Sequence, residues 1–182
     1  MMRPIAISGK MGTGKTTLLH SLQAKEPSYQ RVSLADPVKE VARNYFLMPK
    51  GDKDRWLLQQ IGQRFRSIRA SVWVDLLNAK ADTLIASGVA PVCDDVRFPN
   101  ELQALKEQGW LTVRLKLSEN EQLERIKRTY GGDWEKHWVN RNEVSEVALD
   151  DVSEDEYDFV FENTDNQGLN ELVDKIINAS FA

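Results

Sequence analysis

One cysteine, Cys93, and two histidines, His20 and His137, are all that this chain of 182 residues carries of soft metal-ligand and disulfide chemistry. A lone thiol excludes an intrachain disulfide, and without a Cys/His cluster neither a thiolate metal centre nor a zinc site is expected. Apolar runs of membrane-spanning length are missing, so no membrane partner is expected. The chain opens on a strand-like stretch rather than on a signal sequence. Positive charge is in deficit: 24 Lys and Arg against 28 Asp and Glu leave a net charge of −4, which disfavours a non-specific nucleic-acid surface. Internal repeats and low-complexity tracts are also missing, apart from an acidic cluster over residues 150–158 that reads as a solvated loop. These absences leave one compact cytoplasmic domain, monomer or homodimer, able to bury roughly 70% of its unfolded surface.

What is present starts at once. The apolar residues Pro4, Ile5, Ala6 and Ile7 run into Gly9-Lys10-Met11-Gly12-Thr13-Gly14-Lys15-Thr16. This is the phosphate-binding pattern G-x-x-x-x-G-K-[ST], with a strand before it and a helix after. Glycines let the backbone wrap so that several N–H groups point inward at a polyphosphate. Lys15 would reach the β- and γ-phosphates, Thr16 would hold Mg²⁺, and the helix from Lys15 aims its positive dipole end at the same anion. The expected ATP-binding set is Gly9, Lys10, Gly12, Thr13, Gly14, Lys15, Thr16 and Thr17.

Five short β-type runs, at residues 4–8, 31–34, 90–94, 111–117 and 157–161, alternate with helical stretches. That alternation predicts a parallel sheet with helices on both faces. The fourth run alternates strictly between apolar and polar, which suits a position nearer the edge. Ser118 and Glu121 form a capping box, Gly88 and Gly109 stand where helix C-caps belong, and Leu169, Leu172, Val173, Ile176 and Ile177 mark a core-facing helix. Two segments exceed a minimal crossover. Helices are expected near residues 37–47, 52–69 and 72–86, and a polar stretch with Trp134 and Trp138 fills residues 130–151. The division expected is a core of residues 1–35, 88–129 and 152–182, a helical acceptor-binding insert over 36–87, and a lid over 130–151.

A GTPase would need D-x-x-G after its metal-binding strand and N-K-x-D for guanine; here stand Asp94-Asp95-Val96-Arg97 and Asn163-Thr164-Asp165-Asn166. The chain is too short for a helicase or a transport ATPase. A small-molecule kinase fits, because it needs one insert for an acceptor and another to exclude water.

Several phrases then resemble nucleoside-monophosphate kinases of the phage-type deoxynucleoside family. They are Ser33-Leu34-Ala35-Asp36-Pro37-Val38-Lys39-Glu40, Leu57-Leu58-Gln59-Gln60-Ile61-Gly62, Asp95-Val96-Arg97-Phe98-Pro99-Asn100-Glu101, and Ser145-Glu146 followed by Asp158-Phe159-Val160 and Asn163. Dephospho-CoA and phosphomevalonate kinases share parts of this layout. The resemblance implies an α/β P-loop NTPase fold, a three-layer sandwich whose five-stranded parallel sheet has the order 2-3-1-4-5. It also implies ATP, Mg²⁺ and a (deoxy)nucleoside monophosphate as small-molecule partners, with other phosphorylated metabolites and a regulatory ATP-binding module as alternatives.

By the same resemblance Lys39 grips the acceptor phosphate beside Asp36, with Arg43 one turn on. An exposed lysine and a plain helix cap are the competing structural readings. Gln60, Arg64 and Arg69 cluster with Gln59 and Arg66 around Gly62, a mid-helix glycine that asks for a reason such as close approach. They are candidate acceptor ligands or, equally, a solvated face over an apolar stripe. The pair after Gly62, Gln63-Arg64, departs from the phage-type pattern and leaves the base preference open. Asp94, Asp95 and Arg97 end the third strand, at the sheet edge where ligands of such folds collect. The resemblance assigns Asp95 to Mg²⁺ with Thr16, and Arg97 to clamping both phosphates. Arg125 and Arg128 resemble the entry to an adenylate-kinase lid, the first stacking on adenine and the second contacting the phosphoryl group. Their alternative is a basic helix end. Catalysis would then rest on Lys15, Arg97 and Arg128.

Overall fold

A computed structural model describes residues 2–52, 54–164 and 166–181. In chain order the elements are β1 (Ile5–Ser8), α1 (Lys15–Lys25), β2 (Tyr29–Val32), α2 (Ala35–Phe46), α3 (Arg55–Ile68), α4 (Val72–Ala86), β3 (Ala90–Val96), α5 (Pro99–Glu107), β4 (Leu111–Lys116), α6 (Glu119–Tyr130), α7 (Trp134–Val139), α8 (Val144–Val147), β5 (Phe159–Glu162) and α9 (Asn166–Ser180). The five strands form one sheet in the order β2-β3-β1-β4-β5, and every pairing is parallel. This is the α/β architecture and strand order that the sequence implies.

Alternation of side chains across the pleat sorts the core into two layers. Ile5, Ile7, Val92, Val113 and Leu115 pack beneath Leu18, Leu22, Val173 and Ile176 from α1 and α9. Ala6, Val32 and Cys93 face the other way, against Ala42, Trp73, Leu77 and Leu105 from α2, α4 and α5. Each fully buried side chain of this size contributes about 1.5–3 kcal/mol of transfer free energy. Trp73, 1% exposed, keeps its indole N–H satisfied by donating to the Gly62 carbonyl at 3.1 Å.

Several boundaries differ from the sequence expectation by one to three residues, and three of the shifts have a clear local reason. The second strand covers Tyr29–Val32 rather than residues 31–34. Ser33 and Leu34 leave the ladder because the Ser33 hydroxyl and the Leu34 N–H donate to Asp95. Helix α2 therefore begins at Ala35, and Pro37 falls in its first turn, where no N–H is needed. The fifth strand starts at Phe159 rather than Tyr157 because Asp158 stands in for the ladder. Its carboxylate accepts from the N–H and hydroxyl of Thr112 at 2.7 and 2.9 Å.

Strand β4 lies one strand in from the edge, with β5 outside it. Of its polar alternates, Thr112 is covered by Asp158 and Arg114 by the Tyr157 ring at 5.7 Å and by Asp150 at 3.3 Å, while Lys116 is exposed and pairs with Glu154.

Candidate functional site

The loop between β1 and α1 is built around its glycines. Gly9 has φ +147 and Gly14 φ +96, and a side chain at either would collide. A Cβ at Gly14 would stand 2.4 Å from the Asn163 amide nitrogen, and one at Gly9 would stand 2.7 Å from the Leu115 carbonyl oxygen. Lys15 folds back over the loop, donating to the Gly9 and Lys10 carbonyls at 2.5 and 2.9 Å. Burial lowers its pKa to about 8, with the nearby positive charge of Arg97 the next cause. Thr13 is buried and donates to the Lys10 carbonyl at 2.8 Å, while Thr16 and Thr17 are exposed on the first turn of α1.

The carboxyl edge of β3 carries an irregularity. Ala6 faces Cys93, but Ser8 faces Val96, so Asp94 and Asp95 together oppose the single residue Ile7. Such a bulge re-aims side chains next to functional sites. Asp94, 7% exposed, pairs with Arg31 at 2.8 Å from the neighbouring strand β2. Asp95 is committed to the start of α2: one oxygen accepts from the Leu34 N–H at 2.9 Å, the other from the Ser33 hydroxyl at 2.6 Å and the Ala35 N–H at 3.0 Å. Asp95 thus does the capping work that the sequence left open for Asp36. Asp36 itself lies within the first turn of α2, 3.4 Å from Lys39. Beneath them burial and the Asp95 charge push the Cys93 thiol well up, so it is inert.

A cavity of about 930 Å³ opens between α2, α3, the end of β3 and residues 142–145. Lys39 and Arg97 line it, as expected. The face of α3 that lines it is centred on Gln59, Gly62, Gln63 and Arg66, spaced i, i+3, i+4, i+7, with Leu58 and Ser67 at its margins. Gln60 and Arg64, favoured from sequence, fall one residue out of that phase and are not among its lining residues. Arg69 is exposed and paired with Asp75 at 2.8 Å, and Arg43 leaves its Nε buried without a hydrogen-bond partner.

Arg66 organises the cavity wall. Its Nη2 is 2.8 Å from Glu101, and its guanidinium lies 4.8 Å from the centre of the Phe98 ring. Gly62 leaves room for it, since a Cβ there would stand 3.3 Å from Arg66 Nη1 and push the guanidinium aside by a few tenths of an ångström. Glu101 is 2% exposed; its second oxygen accepts from the N–H groups of Arg97 and Phe98 at 3.0 and 3.1 Å. Burial raises its pKa, while the Arg97 N–H and Arg66 oppose the rise. One carboxylate therefore fixes both Arg66 and the backbone of Arg97. The sequence signal was present: Glu101 stands at the third position of α5 after Pro99, where a carboxylate reaches back to the helix start.

A second cavity, about 690 Å³, is lined by Thr17, Arg125, Arg128, Asn163 and Thr164 among others. Both arginines expected on this helix face it. Arg125 donates to the Asn163 carbonyl, and Asn163 in turn donates its amide to the Thr13 carbonyl at 2.8 Å. The phosphate loop, α6 and the end of β5 are thus joined by one short chain of hydrogen bonds.

Residues 130–151 fold into short helical turns that include α7 and α8. Arg141 lies 4.3 Å over the Trp138 ring. Glu146 reaches the Met11 N–H at 2.8 Å and Arg97 Nη1 at 2.5 Å, and Asp150 pairs with Lys10 at 2.6 Å. Among the described residues no group of three or more His, Cys, Asp or Glu side chains is placed to hold a metal ion, and no helix is long and apolar enough to cross a membrane.

A family model described as an AAA domain matches residues 5–149. No curated protein matches the chain at a significant level. Among solved structures, shikimate kinase from Acinetobacter baumannii is 17% identical with a TM-score of 0.55, the match covering 98% of this chain and 93% of that one. A protein from Thermus thermophilus is 20% identical with a TM-score of 0.60, covering 99% of both chains. A gluconokinase from Sinorhizobium meliloti 1021 is 16% identical with a TM-score of 0.51, covering 98% of this chain and 91% of that one. At these identities the likeness establishes the fold, a P-loop kinase-like α/β fold, and nothing finer.

Proposed function

The chain belongs to the AAA domain family, and on that premise we propose that it transfers the γ-phosphoryl group of ATP to a (deoxy)nucleoside monophosphate, giving the diphosphate. The observation that carries this reading is a pair of cavities meeting the same phosphate machinery. The smaller one includes Thr17, next to Lys15-Thr16, and the larger one includes Arg97, close enough to Lys15 to depress its pKa. A protein that only bound or hydrolysed ATP would need one. Residues 36–87 supply the acceptor side in this reading and residues 130–151 the lid, with the remainder as core.

The loop fits a polyphosphate because the Gly9 and Gly14 positions admit no side chain and Lys15 supplies the buried cation. Arg125 and Arg128 would take the adenine and phosphate side of the donor. Lys39 and Arg66 would take the acceptor phosphate and base, Arg97 would clamp both the acceptor phosphate and the γ-phosphate of ATP, and Gln59 and Gln63 offer amides that can both donate and accept. Thr16 and an aspartate at the β3 edge would hold Mg²⁺, which supplies charge neutralisation on the phosphate oxygens when bound. Asp94, on the α1 face, is the better-placed carboxylate, because both oxygens of Asp95 are engaged by residues 33–35.

The acceptor phosphate is itself the nucleophile, so no general base is required. Lys15 and Arg97 orient the reacting groups and offset charge at the transferring phosphoryl, and residues 142–145 over the larger cavity keep water from competing. The likeness to the phage-type deoxynucleoside kinases in residues 33–40 and 95–101 supports the nucleotide acceptor. A second reading, transfer to another small metabolite, is supported by the shikimate and gluconate kinases among the structural neighbours.

An ADP-release assay against a panel of nucleoside and deoxynucleoside monophosphates separates the two. Turnover with at least one monophosphate, abolished by Lys15→Ala, is the expected outcome. Silence across the panel with turnover on a non-nucleotide alcohol or phosphate would replace the first reading by the second.

A further inference from the structure

We infer that Glu146 is a positioning residue that holds Arg97 and the phosphate loop in place and surrenders Arg97 to an arriving phosphate, a role that rests on the kinase reading above. Its side chain is 8% exposed and bridges two distant parts of the chain. One oxygen accepts the Met11 N–H at 2.8 Å, and the other lies 2.5 Å from Arg97 Nη1. A loop N–H and a guanidinium are the donor set that a phosphate oxygen also seeks. Arg97 Nη1 cannot serve both at full strength, and a carboxylate repels the polyphosphate it faces.

The surroundings make Glu146 a deliberate fastening rather than a chance surface pair. Met11 is held from its other side as well, its carbonyl accepting from the buried amide of Gln122 at 2.8 Å. The next residue back, Lys10, is tied to Asp150 at 2.6 Å, and Asp150 is shared with Arg114 at 3.3 Å. The outer half of the loop is therefore fastened to residues 146–150 through both a backbone and a side-chain link. Glu146 alone among these links also touches a residue that lines the larger cavity. It couples the position of the 142–147 segment to the aim of Arg97.

The test is a double-mutant cycle read on ATP binding by titration calorimetry, with Mg²⁺ present, for the wild type, Glu146→Gln, Arg97→Ala and the double variant. Glutamine keeps an oxygen for the Met11 N–H and loses the charge that engages Arg97. Glu146→Gln is expected to tighten ATP binding about tenfold, and the gain should shrink below about threefold in the Arg97→Ala background. Glu146→Asp, which restores the charge, should return the affinity to near the wild-type value. Weaker binding in Glu146→Gln, a tenfold gain that persists without Arg97, or an aspartate variant that behaves like glutamine would each overturn the inference. The measurement needs no acceptor. A silent monophosphate panel therefore sinks the nucleotide reading alone, while ATP binding without coupling in the cycle sinks this inference alone.

Discussion

Replacing Arg66 by methionine removes one partner of a buried ion pair while keeping the side-chain length. Removing one member of such a pair costs about 3–5 kcal/mol when the other is left wholly uncompensated. Here the cost is smaller for two reasons visible in the geometry. Glu101 keeps the N–H groups of Arg97 and Phe98 at 3.0 and 3.1 Å, and the Arg66 side chain is 29% exposed. A loss of about 2 kcal/mol follows, and for a chain of this size that is a fall of roughly 4–8 °C in Tm. The deficit must depend on pH. Burial already raises the Glu101 pKa above 4.5, and loss of Arg66 raises it further. A carboxyl whose folded pKa lies above its unfolded value binds its proton more readily in the native state. Its stabilising contribution is therefore present at low pH and lost as pH rises through that window. The Arg66→Met deficit should accordingly be largest near neutral pH and shrink toward about pH 5, and Arg66→Met/Glu101→Gln should melt above Arg66→Met alone at neutral pH. In turnover, KM for the acceptor should rise about tenfold with KM for ATP within about twofold of wild type, as a guanidinium-to-phosphate or base contact is lost. Thermal melts across pH and two-substrate kinetics measure both. An unchanged Tm at neutral pH, or a deficit uniform from acid to neutral, would refute the role given to the Arg66–Glu101 pair.

Two further outcomes are expected. With the Lys15 pKa lowered to about 8, the ammonium is lost in the free protein above that pH, amid the charges of Arg97, Glu146, Asp94 and Asp95. The value of kcat/KM for ATP should then fall above pH 8 while kcat, reporting the phosphate-bound complex, holds to higher pH; a flat kcat/KM up to about pH 9.5 contradicts this. Gly14→Ala forces a Cβ to 2.4 Å from Asn163 Nδ2 at a left-handed backbone position. Strain of about 1–2 kcal/mol and loss of the Asn163–Thr13 bond should total roughly 2–3 kcal/mol by urea denaturation, with ATP affinity reduced more than tenfold, and unaltered ATP binding would show that the cradle is not needed.

The sequence was most legible where a local rule and a tertiary demand coincide. The phosphate-loop pattern, the Ser118 cap and helix α4 can be read from nearby residues, although the folded loop is also held by distant ones, and α4 runs over Val72–Ala86 as the periodicity implies. Helix α3 was harder. Its composition marks a basic, glutamine-rich segment around Gly62, but a one-residue error in phase exchanges Gln59, Gln63 and Arg66 for Gln60 and Arg64. That phase is set by the Trp73 bond to Gly62 and by the Phe65–Trp73 stack at 5.2 Å, both tertiary. The partners of Asp95 were hidden for a similar reason. A carboxylate at a strand end beside a phosphate loop suits a metal, yet its hydrogen bonds run to residues 33–35, whose approach no local pattern encodes. Glu146 was legible only as part of a family phrase, because its partners lie 49 and 135 residues away.

The extra residue where β3 falls out of step with β1 has a consequence for the two carboxylates that it carries. With two aspartates opposite Ile7, two successive carboxylates are free to engage different parts of the fold. Asp94 is tied sideways to Arg31 on β2, and Asp95 is tied to residues 33–35 at the start of α2, on the wall of the larger cavity. The single added residue therefore lets one strand end secure both the neighbouring strand and the helix that follows it.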